Sequence, residues 1–130
     1  MASDFTIHTC KTEDNPLVAF EVIGQFDWSE MDILLGELSM DADSVERWFA
    51  DESKRGSPIL PSFPGFSRLM YVYEGRVVYE GEELRRMLDE CLAIRGQVSD
   101  ERSIRILKLL ISACEKAQLV HAGMRVHSYG

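Results

Sequence analysis

Residues able to do chemistry are few in this chain, and their spacing limits what they can do together. Cys114 and His121 come closest to a nucleophile and base. Seven residues apart on one uninterrupted helix, they would share a face but sit two turns, about 10 Å, from each other. Thiol activation needs a base within hydrogen-bond reach, so this pair falls short. His8 and Cys10 share one side of an alternating stretch, and His127 lies near the C-terminus. Neither Cys-x-x-Cys nor His-x-x-x-His spacing occurs, and Gly-x-Ser-x-Gly is absent. Asp41-x-Asp43 opens like a calcium loop, but it continues with Val45 and no glycine follows at the sharp turn.

Gly75 and Gly81 close the two copies of Val-Tyr-Glu-Gly in Val72 to Gly81, which invites comparison with a phosphate loop. Gly81 does open a helical pattern, yet Glu82 and Glu83 follow it and would repel phosphate. No catalytic residue, metal or cofactor is therefore assigned, and the expected mode of action is binding rather than catalysis.

Carboxylates carry the strongest signal. The net charge is −8, and it is unevenly laid out. Residues 1–52 hold thirteen acids against Lys11 and Arg47, whereas residues 53–130 hold nine acids against twelve bases. Such a balance argues against nucleic acid as a partner, because that affinity comes largely from neutralising phosphates. From Asp27 to Glu52, nine carboxylates face Arg47 alone. Like charges at this density repel, and a basic protein would relieve the repulsion and be steered in quickly. The expected partner-binding residues are Glu30, Glu37, Asp41, Asp43, Glu46 and Asp51, with Trp28 as an aromatic anchor beside them.

These residues need elements to hold them. At 130 residues the chain is expected to be one domain, large enough to bury a core without disulfides. Phe5 to Cys10 alternates as a strand, and Leu17 to Ile23 reads as a well-buried second strand ended by Gly24. Ser29 is the expected N-cap of a helix whose core face is Met31, Leu34, Leu35 and Leu38, running to about Met40. A shorter helix follows, capped by Asp41 or Asp43, with Val45, Trp48 and Phe49 inward.

Residues 53–67 contain Pro58, Pro61 and Pro64 at polyproline spacing and read as a surface loop without regular structure. Ile59, Leu60, Phe63 and Phe66 should pin it down. The loop also carries Arg-x-x-Pro-x-x-Pro, from Arg55 to Pro61, a pattern read by SH3 domains. Arg68 to Tyr73 and Arg76 to Glu80 then read as a tight hairpin turning at Glu74-Gly75, with Met70 opposite Tyr79 and Val72 opposite Val77.

Glu82 to Arg95 is a helix with the stripe Leu84, Met87, Leu88, Cys91 and Leu92. Asp100 caps a longer one, to about Leu119. The final residues read as an edge strand or a tail. The expected fold is α+β: an antiparallel sheet built from two hairpins, with helices on one face, in the order ββαα-ββαα.

No apolar run is long enough to span a membrane, and Cys10, Cys91 and Cys114 are expected to be reduced, buried thiols of a cytoplasmic protein. The function expected from this pattern is that of a small acidic binding module, of the kind that inhibits a basic partner such as a nuclease toxin. One alternative is a small-ligand or catalytic domain using His8 and His121. The other is a homodimer or larger assembly joined through Tyr71 and Tyr73.

Overall fold

The computed structural model describes residues 5–12, 16–17, 21–40, 42–54, 57–71 and 76–128. It is an α+β fold whose sheet has four antiparallel strands in the order β2-β1-β4-β3. Strand β1 spans Phe5–Cys10 and β2 spans Glu21–Phe26. Strand β3 spans Arg76–Tyr79 and β4 spans Gly123–Ser128.

The first hairpin forms as its alternation implies, with Phe5 opposite Phe26 and Thr9 opposite Glu21. Its second strand differs from expectation. Leu17 is almost wholly exposed, at 92 %, and residues 18–20 lie outside the described part. The strand runs through Gly24 rather than ending there, and it forms an edge with mostly exposed side chains. A register shift opposite Ile7/His8 marks a bulge, and a Cβ on Gly24 would stand 2.6 Å from Leu109 Cδ2. Glycine therefore allows the strand to lie close to the helix beneath it.

The last strand is central, not an edge. β4 pairs with β1 through Ile7 opposite Val126 and with β3 through Val77 opposite Val126. No second hairpin forms between 68–71 and 76–79. Arg68–Tyr71 is a turn of 3₁₀ helix, and Tyr79 pairs with Met124 rather than Met70. Val72 to Gly75, the expected turn, lie outside the described residues. A four-residue strand gains more by joining a ladder that already carries β1 than by forming an isolated two-stranded ribbon.

Five α-helices are described. Helix α1 is Trp28–Glu37, α2 is Ala42–Ala50, α3 is Pro64–Ser67, α4 is Gly81–Arg95 and α5 is Glu101–Leu119. The cap of α1 is Asp27, two residues before Ser29. Asp27 Oδ1 accepts from the Glu30 N–H at 2.9 Å, while Glu30 Oε1 accepts from the Asp27 N–H at 3.3 Å. Starting there lets Trp28 lie on Phe5, ring centres 4.7 Å apart, beside the Phe5–Phe26 stack at 4.6 Å.

Within the proline-rich stretch, Ile59, Leu60 and Phe66 are buried and Phe63 is partly so, as their apolar character implies. The stretch is not wholly irregular, because Pro64 opens α3 at a position where a missing N–H costs nothing.

Gly81 takes φ +57° and turns the chain from β3 into α4. The buried face of α4 is Leu84, Met87, Cys91 and Ile94. Leu92 is 49 % exposed, so the stripe is rotated from the expected one toward Ile94. Its main support is α5 rather than the sheet. Helix α5 begins at the Asp100 cap as expected and lies at the centre of the packing, against α1, α4, β1, β2 and β4. No described helix is long and apolar enough to cross a membrane.

Candidate functional site

The acidic run divides into carboxylates used inside the chain and carboxylates left at the surface. Glu30 meets Arg105 of α5: Nη2 lies 2.7 Å from both carboxylate oxygens, and Nη1 donates to the Gln25 carbonyl at 3.1 Å. The Glu30 side chain is only 15 % exposed. Glu21 likewise meets Lys116 at 2.7 Å. Helix α5 therefore supplies bases to the acid-rich N-terminal half, which accounts for part of the uneven charge seen along the chain.

Glu37 is tied down differently. Its Oε1 accepts from the Ser99 N–H at 2.8 Å, the Ser99 hydroxyl at 3.1 Å and the Asp100 N–H at 3.1 Å. Glu37 Oε2 and Ser103 Oγ are both buried without a hydrogen bond of ordinary geometry. The pull of the Ser103 hydroxyl is still the largest influence holding the Glu37 carboxyl below its usual range, ahead of the Ser99 N–H. Trp28, the expected anchor, is partly buried and packed against Phe5.

Asp43, Glu46 and Asp51 remain exposed on α2 and just beyond it. Asp51 Oδ1 accepts from the Ser53 N–H at 3.0 Å and the Ser53 hydroxyl at 2.6 Å. Asp41 and the Phe49 side chain lie outside the described residues. Asp51 borders an open concavity of about 390 Å³ lined also by Met40, Ser44, Arg47 and Trp48. It adjoins a second, of about 330 Å³, where Leu38, Met40, Leu60, Pro61 and Phe63 present apolar surface. Met40 belongs to both. The aromatic residue beside the acidic surface is thus Trp48. It faces inward as its helical spacing from Val45 implies, partly buried and packed against the core.

A further concavity lies elsewhere. About 480 Å³ opens between the start of α4 and the end of α5, with Glu80, Glu83, His121 and Thr12 on its walls. Thr12 Oγ1 donates to the His121 carbonyl at 3.2 Å. Two carboxylates and an imidazole suit proton transfer, but no activated nucleophile accompanies them. Cys10 is near Glu80, and burial followed by that carboxylate pushes its thiol pKa up. Cys114 points inward to Met124, Sγ to Sδ 3.8 Å, and burial raises it to about 12. His121 lies beyond the end of α5 with φ +56°, so it and Cys114 do not share a helix face. His8, on β1, faces the other side of the sheet.

All three cysteines are free and buried. Among the described residues no group of three or more His, Cys, Asp or Glu is placed to hold a metal ion. Arg55 and Gly56 of the Arg-x-x-Pro-x-x-Pro pattern lie outside the described residues, and its Ile59 and Leu60 are buried in the protein's own core. Tyr73 also lies outside the description. Compared with known proteins, the chain matches no family model, no curated protein and no solved structure.

Proposed function

We propose that this protein is a binding module, acting without catalysis, whose α2 surface receives a basic protein. The observation that carries this reading is the open concavity lined by Met40, Ser44, Arg47, Trp48 and Asp51, on a helix that also carries the exposed Asp43 and Glu46. A partly buried aromatic and thioether patch gives a partner side chain somewhere to lodge, and Asp51 with the other carboxylates of α2 favours Lys and Arg nearby. Glu30 and Glu37 fix α1 against α5 and the segment before it, rather than touching the partner. An inhibitor that neutralises a basic enzyme, such as a nuclease toxin, would have these properties. Three buried free thiols suit a reducing compartment such as the cytoplasm.

The test is affinity capture from the native host with wild-type bait and with D43K/E46K/D51K bait, followed by mass spectrometry. A basic protein held by the first and lost by the second is the expected result. The reading fails if no captured protein distinguishes the two baits.

A second reading rests on the Glu80–Glu83–His121 cleft, whose convergent titratable groups resemble an acid–base site. Turnover of a substrate lost in both E83Q and H121N, with the fold intact, would favour it over the binding module.

A further inference from the structure

The cleft between the start of α4 and the end of α5 lies at two turns of matching backbone. Gly81, at φ +57°, leads into α4, and His121, at φ +56°, leads out of α5. The end of α5 is closed by the Ala122 N–H on the Ala117 carbonyl at 2.7 Å and the His121 N–H on the Gln118 carbonyl at 3.2 Å. Glycine is the usual residue at the left-handed position of such a closure, because a side chain there strains the backbone. Histidine takes the position instead, and it lines the cleft.

The polar groups around this cleft differ in what they already hold. Glu83 Oε2 meets Arg68 Nη1 at 2.5 Å, and Arg68 is itself held over the Tyr79 ring, 4.8 Å from its centre. Arg85 is taken by Glu82. Glu80 stands exposed just before α4 without capping it, and no described base lies within ion-pair reach of its carboxylate. Its charge is felt instead by Cys10, whose thiol is raised by burial and then by Glu80. Among the described residues, nothing bonds the Gln118 amide or the His121 ring either. Leu84 and Ala122, both buried, give the cleft an apolar base.

We propose that this cleft binds a small molecule bearing a primary ammonium group. The Glu80 carboxylate is its counter-charge, the Gln118 amide oxygen and a ring nitrogen of His121 accept its remaining N–H groups, and its carbon chain lies against Leu84 and Ala122. An ammonium has three donors and no acceptor, which matches one carboxylate, one amide oxygen and one imidazole nitrogen. A volume of about 480 Å³ lies within the range of small-ligand sites. An anion is disfavoured, because Glu80, Glu82 and Glu83 gather at the start of α4. A bare metal ion is disfavoured too, since no described group of three or more His, Cys, Asp or Glu is placed to hold one. The proposal rests on the same cleft as the acid–base reading but asks only for binding.

The test is an NMR titration with n-butylammonium, n-butanol and butyrate at matched ionic strength, read at the Gly81 and Ala122 amides and the His121 ring. Butylammonium should shift all three saturably, and butanol and butyrate should bind about tenfold more weakly or not at all. E80Q should weaken butylammonium binding about tenfold, and it should fold normally because Glu80 is exposed. H121G should weaken binding severalfold while raising the midpoint of urea unfolding, since glycine accepts the left-handed backbone without strain. A histidine serving only the turn would give the rise without the loss. No saturable shift, equal shifts by butanol or butyrate, or binding unchanged in E80Q or H121G overturns the proposal. Butylammonium binding without turnover of any substrate leaves this assignment standing and counts against the acid–base reading. Turnover of a substrate without an amine, by a cleft indifferent to butylammonium, sustains that reading and overturns this one.

Discussion

The carboxylate of Glu37, at the last turn of α1, accepts the backbone N–H of Ser99, 62 residues along the chain, at 2.8 Å. Its charge sits just before α5, where the positive end of the helix dipole favours an anion. One side chain therefore joins two helices and supplies acceptors to backbone groups that α5 cannot satisfy itself. Replacing Glu37 by Gln should lower the midpoint of denaturant unfolding at neutral pH, whereas E46Q, on exposed α2, should leave it nearly unchanged. Equal effects would show that the Glu37 contact adds nothing.

The same contact has a pH signature. The Glu37 pKa is lowered in the folded protein by the Ser103 hydroxyl and then the Ser99 N–H. Its contribution is thus fully present above the unfolded value of about 4.3 and is lost as pH falls through the folded value. Stability measured from neutral pH into the acid range should fall less steeply in E37Q than in the wild type. A parallel fall would remove Glu37 from the acid transition.

Helix α4 offers a test of which face is buried. Ile94 is fully buried and Leu92 is 49 % exposed. Ile94→Ala should cost about 2–5 kcal/mol by leaving a cavity. Leu92→Ala should stay within about 0.5 kcal/mol, as surface changes do. Urea unfolding of the two variants reads this directly, and a reversal of the order would restore the Leu92 stripe.

The thiols should be inert in the folded state. Burial pushes Cys114 up to about 12 and Cys91 well above the ordinary thiol range. An aromatic disulfide reagent at pH 8 should therefore label them slowly in native protein and completely after denaturation. Fast native labelling of Cys114 would reopen thiol chemistry.

On the α2 surface, charge and apolar contact should separate kinetically. With the captured partner, D43K/E46K should slow association severalfold at low salt, and added salt should narrow the gap. Trp48→Ala should chiefly speed dissociation. A partner insensitive to both variants would place its footprint elsewhere.

By itself, the sequence determined the features whose signals are local. Strand β1, the Gly81 turn, the Asp100 cap and the seating of Ile59, Leu60 and Phe66 follow from alternation, caps and short apolar clusters, which act within a few residues. Tertiary structure alone decided the rest. Residues 123–128 look like a terminal edge until β1 and β3 both pair with them, because a period of two names a face but never a partner. Glu30 and Asp43 are alike as letters in an acidic run. Only the arrival of Arg105 from α5 turns one inward, while α2 leaves the other in water. Both tryptophans are partly buried against the core, but Trp28 packs on Phe5 whereas Trp48 lines the concavity beside Asp51. Burial and pairing of a side chain depend on which distant segment folds over it, and spacing along the chain carries no record of that.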